Sequence, residues 1–381
     1  MAIVIVGAGL AGLRTAQEVR KLGYDGPVVL VGDETHLPYD RPPLSKDVIR
    51  GEREDTTFEP AEYFAEHRIE LRLGSAAVSV DPGRRAVTLA DGSALEYEDL
   101  VVATGLRPRR PSSLPELEGV HVLRSRDDAE ALHRDASTAS RAVVIGAGFI
   151  GCETASGLRH LGVEVTVVEP QATPLASVLG REVGALVGRL HTGEGVEVRT
   201  GVGLDTLRGT ERVTHAVLDD GTQLEADLVV LGIGSTPATE WLAGSGIETG
   251  NGIHADVSGR TSDPHVWTVG DVAAWTVGDG RRRVEHWSNV GDQVRVMAPV
   301  LLGVEPGPSR PQVPYFWSDQ YDLKIQALGA PSPEDTVRIV EDDGRKFLAY
   351  YVRDGILTAV VGAGKAGAVM KMRAGIGRPL E

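Results

Sequence analysis

Two stretches of the chain carry the same pattern of apolar and polar positions. Ile3-Val4-Ile5-Val6 is an unbroken apolar run that gives way to Gly7-Ala8-Gly9-Leu10-Ala11-Gly12. Helical spacing then runs to Lys21, and a second apolar run, Val28-Val29-Leu30-Val31, leads to Asp33. The pattern returns with Val143-Val144-Ile145, then Gly146-Ala147-Gly148-Phe149-Ile150-Gly151, a helical stretch to about His160, and a strand-like run from Val163 to Val168 closed by Glu169. Short apolar runs bounded by turn residues predict strands buried on both faces, so each stretch reads strand, tight turn, helix, parallel strand. A hairpin signal follows in each case, Asp91-Gly92 and Asp220-Gly221, set among apolar runs. Each copy then ends alike, in Leu100-Val101-Val102-Ala103-Thr104-Gly105 and in Leu228-Val229-Val230-Leu231-Gly232-Ile233-Gly234.

The doubling predicts an α/β protein with two Rossmann-like dinucleotide-binding domains, the second inserted in the first. Insertion is expected because Val266-Trp267-Thr268-Val269-Gly270-Asp271 reads as one more buried strand, and such a strand needs a parent sheet. Pro306-Gly307-Pro308, with Pro311 and Pro314, reads as a linker. The expected organisation is a discontinuous first domain from 1–108 and 235–306, a second from 109–234, and a small mixed α+β domain from 307–381.

Composition narrows the chemistry. A chain of 381 residues suits two or three domains, and 41% hydrophobic with 24% charged residues is the balance of a globular protein. The 47 glycines exceed the usual share of roughly 7% and point to close backbone approaches. A net charge of −15 disfavours nucleic acid or an anionic membrane as partner. Cys152 is the sole cysteine, which excludes an intramolecular disulfide, a Cys-x-x-Cys redox pair and a cysteine-rich metal site. The ten histidines show no ligand spacing, so no metal site is expected. Met1 leads straight into a strand-like run, so neither a signal peptide nor a membrane span is expected and a cytoplasmic location is.

Gly-x-Gly-x-x-Gly alone is weak, but here it stands twice between a buried strand and a helix, with an acid about twenty residues further on. The glycines let backbone N–H groups approach a pyrophosphate at a helix N-terminus, and the acid accepts hydrogen bonds from ribose hydroxyls. At Glu169 a carboxylate suits free ribose hydroxyls and repels a 2′-phosphate, and no arginine follows in Pro170-Gln171-Ala172, so NADH is expected over NADPH.

Five further strings, Pro38-Tyr39-Asp40-Arg41-Pro42-Pro43-Leu44-Ser45-Lys46, Ala103-Thr104-Gly105, Gly146 to Glu153, Glu285-His286-Trp287 and Pro314 to Gln326, carry a resemblance over nearly the whole chain. The sequence resembles the FAD-dependent NADH:ferredoxin reductases that serve ring-hydroxylating dioxygenases and bacterial cytochromes P450. The resemblance implies that the first unit holds FAD and the inserted one NADH. For FAD it implies Gly7, Gly9, Ala11, Gly12, Asp33, Arg41, Lys46, Ala77, Ala103, Thr104, Gly105, Arg124, Asp271, Trp287, Val290 and Trp317. For NADH it implies Gly146, Gly148, Phe149, Ile150, Gly151, Glu153, Glu169, Gly232, Ile233 and Gly234. It further implies catalytic roles for Lys46 beside flavin N5, for Glu153 as its ion-pair partner near the nicotinamide, and for Trp317 near the flavin ring.

Cys152, despite its place at a helix N-terminus, reads as a small packing residue. Without a thiol relay, electrons must pass directly to an outside acceptor, and a ferredoxin with a small iron–sulfur centre is the expected partner, docking transiently. Arg281-Arg282-Arg283, Lys324, Lys365, Lys371 and Arg373 are candidate contacts for it, the arginine run reading more simply as a solvated turn. The alternatives are an NADH:quinone or dye oxidoreductase, a flavin oxidase or peroxidase, and an FAD- and NADH-binding signalling protein of the apoptosis-inducing-factor type.

Overall fold

The computed structural model describes residues 2–305 and 313–380; Pro306-Gly307-Pro308 and Pro311 of the expected linker lie outside the described residues. The chain forms two compact units, 1–40 with 56–107 and 236–312, and 41–55 with 108–235 and 313–381.

In the first unit the parallel strands run in the order Ile69–Arg72, Val28–Val31, Ala2–Val6, Ala94–Val102, with Val266–Thr268 also parallel to Ala94–Val102. Ala94–Val102 serves three partners: its first residues pair antiparallel with Ala86–Leu89 across the Asp91-Gly92 turn, and its later ones run parallel to Ala2–Val6 on one side and Val266–Thr268 on the other. Side chains alternate across the sheet. Ile3 and Ile5 face a core built with Leu13, Ala16 and Val19 of the helix Leu10–Lys21 and with Val294 and Met297 of the helix Trp287–Leu301. Val4 and Val6 face the other way, against Val80, Val87, Trp241 and Leu242. Burial on both faces is why Ala2–Val6 and Val28–Val31 are apolar at every position. The strand order reverses between Ala2–Val6 and Ala94–Val102, so the crevice at their carboxyl ends is where this fold takes a ligand.

The second unit repeats the plan with parallel strands in the order Glu197–Thr200, Glu164–Glu169, Arg141–Ile145, Leu228–Leu231, Val120–His121. An antiparallel sheet of Leu204–Gly209, Val213–Leu218 and Gln223–Glu225 forms the excursion, with Asp220-Gly221 at its second turn. The C-terminal residues make an antiparallel sheet in the order Tyr315–Gln320, Leu323–Gly329, Ile356–Ala363, Phe347–Arg353, Thr336–Asp342, packed by the short helix Ala366–Lys371. One continuous core joins this sheet, through Phe316, Ile325, Phe347 and Tyr351, to the helices Phe149–His160 and Ala176–Gly193 and to Ile49. Among the described residues no helix is long and apolar enough to cross a membrane.

Candidate functional site

The first glycine loop is a close-packed backbone turn. A methyl added at Gly12 would lie 1.9 Å from the Gly7 carbonyl oxygen, and one at Gly7 2.2 Å from the Ala103 carbonyl oxygen, where Gly7 also holds φ of 118°. The loop therefore seats directly on the end of the neighbouring strand, and Ala103 N–H donates to Val6 O at 2.7 Å. At Gly9 the same methyl meets nothing within 4 Å, no side chain caps the helix Leu10–Lys21, and its first turn holds no acid. Bare N–H groups beside open space are what a pyrophosphate requires, so a dinucleotide fits this loop.

Its surroundings belong to the same unit. Thr104 Oγ1 donates to Ala238 O at 2.8 Å and Gly105 follows with positive φ. Gly270, held by Gln293 Oε1 at 2.8 Å, approaches Ala11 so closely that a methyl would stand 2.8 Å from its Cβ, which sets Asp271 beside the helix N-terminus. Val290 is buried in the helix that carries Gln293, and Trp287 at its start donates from Nε1 to Asp40 Oδ1 at 2.9 Å. Gly32 packs against Ala8, which brings exposed Asp33 to the loop's flank. The next acid, Glu34, which the motif spacing passes over, accepts from the Tyr39 hydroxyl at 2.5 Å. Ala77 is apart from this group, opening the hairpin strand Ala77–Asp81 two strands beyond Ala94–Val102.

The second loop has the same construction. Methyls at Gly151 and Gly146 would lie 2.0 Å from Gly146 O and 2.3 Å from Gly232 O, while Gly148 faces open space. Gly232 N–H donates to Ile145 O at 2.7 Å, as Ala103 does in the first copy, and Ile233 and Gly234 follow. Glu169 accepts from Ala147 N–H at 2.7 Å and from Gln171 N–H at 2.9 Å, so the loop fixes its carboxylate while leaving lone pairs for hydroxyl donors. Ile150 is exposed at the loop, and Phe149 turns toward Phe316, edge to face at 5.0 Å. A second dinucleotide fits here on the same grounds.

The helix that leaves this loop carries Glu153 into a buried ion pair. Pro42–Ser45 forms a 3₁₀ turn, and Lys46 at its end donates from Nζ to Glu153 Oε2 at 2.9 Å and to Pro42 O at 3.0 Å. Their side chains are 10% and 3% exposed. Ser45 Oγ donates to the same oxygen, and Ser318 Oγ to the other at 2.7 Å. Burial pushes the Glu153 carboxyl upward, while Lys46, Ser45 and Ser318 pull it back. Ser45 and Ser318 were not singled out by the sequence, since a serine carries no periodic signal. Arg41 donates to Arg124 O at 2.7 Å in the same unit. Trp317 is one position from Ser318 and so points to the opposite sheet face, stacked near Tyr315 at 6.0 Å with Lys324 Nζ 5.6 Å from its ring centre.

Cys152 is fully buried, with its thiol 3.5 Å from Ala147 O and its pKa pushed up by that burial, which removes it from thiolate chemistry. Arg281-Arg282-Arg283 is not a turn: it forms the edge strand Gly280–Arg283 against Ala273–Val277, and the hairpin turn sits just before it.

The model of the pyridine nucleotide-disulphide oxidoreductases matches residues 1–293, and that of the reductase C-terminal domain matches 315–380. Rhodocoxin reductase of Rhodococcus erythropolis is 40% identical over 342 residues, 88% of this chain and 80% of that protein. The fold is similar to the ferredoxin reductase for the CYP199A2 system from Rhodopseudomonas palustris, with a TM-score of 0.94 and 36% identity over 100% of this chain and 95% of that one. It is likewise similar to the reductase in a covalent putidaredoxin reductase–putidaredoxin complex, with a TM-score of 0.93 and 32% identity over 98% and 92% of the two chains.

Proposed function

Because the chain belongs to the pyridine nucleotide-disulphide oxidoreductases, within the ferredoxin reductases, we propose that it passes electrons from NADH through FAD to a ferredoxin that serves a cytochrome P450 or a Rieske-type dioxygenase. Membership implies a flavin and a pyridine nucleotide; the order, FAD at the Gly7 loop and NADH at the Gly146 loop, is our reading. FAD supplies the one chemistry the chain lacks, accepting a hydride and releasing electrons singly. The protein's own groups do the rest. The two loops would hold the nucleotides, and the Lys46 ammonium, held in place by Glu153, would supply positive charge.

The observation that carries this reading is the pairing of two nucleotide loops with a chain whose sole thiol is sealed in the core. Thiol relays are closed to it, which leaves direct transfer to an outside one-electron carrier. A relative crystallised with putidaredoxin supports that class of partner. In this reading the protein works in the cytoplasm. The test is a flavin absorbance spectrum followed by NADH-driven cytochrome c reduction with and without candidate ferredoxins. Dependence on the carrier, weakening as salt rises, is the expected result; equal rates without any carrier, or full activity with quinone alone, would discard it.

Glu169 decides the nucleotide in this reading. Glu169→Arg is expected to lower the NADH/NADPH ratio of kcat/KM by about 100-fold, on the order of 3 kcal/mol for exchanging a repelled phosphate for a paired one. An unchanged ratio would remove Glu169 from the assignment.

A further inference from the structure

A single file of polar side chains leads from Glu153 into the base of the C-terminal sheet. Ser318 Oγ donates to Glu153 Oε1 at 2.7 Å, and Gln320 Nε2 donates to Ser318 Oγ at 3.1 Å. Gln320 Oε1 lies 3.0 Å from His191 Nε2, and His191 Nδ1 lies 2.8 Å from the Tyr321 hydroxyl. Ser318 and Gln320 are wholly buried and His191 is 1% exposed. Four residues from a strand, the turn after it and the helix Ala176–Gly193 thus meet in one line.

The direction of every bond in that line follows from its end. A carboxylate only accepts, so Ser318 gives its one hydrogen to Glu153 and its oxygen must accept from the amide nitrogen of Gln320. That leaves the amide oxygen facing His191, which must present Nε2–H, and the bare Nδ1 then takes the hydroxyl hydrogen of Tyr321. Burial holds His191 neutral, its pKa lowered to about 4, and keeps the Tyr321 hydroxyl protonated, so both are in the forms the chain requires. An amide does not relay protons, so the line fixes a charge state and carries no proton to it.

We infer that Ser318, backed by Gln320, His191 and Tyr321 in a one-way chain of donors, is a positioning residue that favours Glu153 as the carboxylate pairing with Lys46. The charged and titratable groups acting on it are few. Lys46 and Ser45 face Glu153 from the 3₁₀ turn, Ser318 faces it from the sheet, and Cys152 is its neighbour on the helix. Glu194 acts on His191 from the end of its own helix, and Cys152, Glu194 and Arg159 act on Tyr321. The link from Glu153 to turnover rests on the function proposed above; the direction of the chain does not.

Ser318→Ala tests it, because losing that hydroxyl uncouples Glu153 from the Gln320 amide, which is then free to face either way. With 15N-labelled histidine in the full-length holoprotein, the His191 signal is expected to report Nε2–H alone in the native chain and a share of Nδ1–H in the variant. The acidic limb of the pH profile for NADH-driven flavin reduction is expected to move up by about one unit, since Glu153 loses a donor that favours its charged form. Tyr321→Phe, which leaves Glu153, Ser318 and Gln320 intact, should keep His191 at Nε2–H. A native His191 protonated at Nδ1 or doubly protonated at neutral pH, or one wholly at Nε2–H in Ser318→Ala, would overturn the inference. A ring proton that redistributes in Ser318→Ala while the acidic limb stays put upholds the chain and instead removes Glu153 from the reaction.

Discussion

Lys46→Met is expected to destabilise the protein by about 3–5 kcal/mol at pH 8 and by much less at pH 5. The substitution keeps the length of the side chain and removes only the charge, so Glu153 is left buried among Ser45 and Ser318 without its counter-ion. Burial already raises the Glu153 carboxyl with Lys46 present, and losing the ammonium removes the largest opposing influence. The folded chain then binds the Glu153 proton more readily than the unfolded chain does. Stability from that proton is present below the ordinary carboxylate value of about 4.3 and is lost as pH rises through the raised one. Urea denaturation at the two pH values reads the difference directly, and equal losses at both would show that Lys46 contributes by packing alone. Lys46→Met with Glu153→Leu should cost less than the sum of the two single changes, because no charge is left stranded. In the same variant, NADH-driven flavin reduction should slow by about tenfold or more while FAD stays bound, and loss of FAD would make the role of Lys46 structural.

The glycine loops offer the second large effect, and they separate packing from binding. Gly12→Ala and Gly151→Ala each place a methyl about 2 Å from a backbone oxygen of the same loop, a clash that only opening the turn relieves. Gly12→Ala is expected to purify without flavin colour. Gly151→Ala is expected to keep its flavin and to raise the KM for NADH by about 100-fold or more, roughly 3 kcal/mol of lost binding. Gly148→Ala meets no protein atom within 4 Å, so it should melt like the native protein and still lose NADH. Thermal melts with NADH titrations distinguish these outcomes, and tight NADH binding by Gly148→Ala would move the pyrophosphate away from this loop.

The sequence alone carried the doubled strand–turn–helix plan, because it is written in local signals. Apolar runs at Ile3–Val6 and Val143–Ile145 mark strands buried on both faces, and the glycine spacing marks turns that only a Cβ-free backbone can make. The buried run before Gly270 likewise foretold a strand returning to the first sheet, and Val266–Thr268 pairs there with Ala94–Val102. Lys46 and Glu153 entered through family resemblance, since a lysine after two prolines has no pattern of its own.

What the tertiary structure decided is which side chains meet across long stretches of chain. Tyr315-Phe316-Trp317 is apolar on both faces, so its alternation does not say which face turns inward; the core contact of Phe316 settles that, and Ser318 and Gln320 follow it while Trp317 does not. Ser45, Glu153 and Ser318 lie in three separate segments, and only their packing reveals a buried carboxylate that accepts from two hydroxyls and from Lys46. Local signals fix turns and strands because their energies act between near neighbours. A buried charge is held by groups that are near only after folding, and so the structure alone decides its partners.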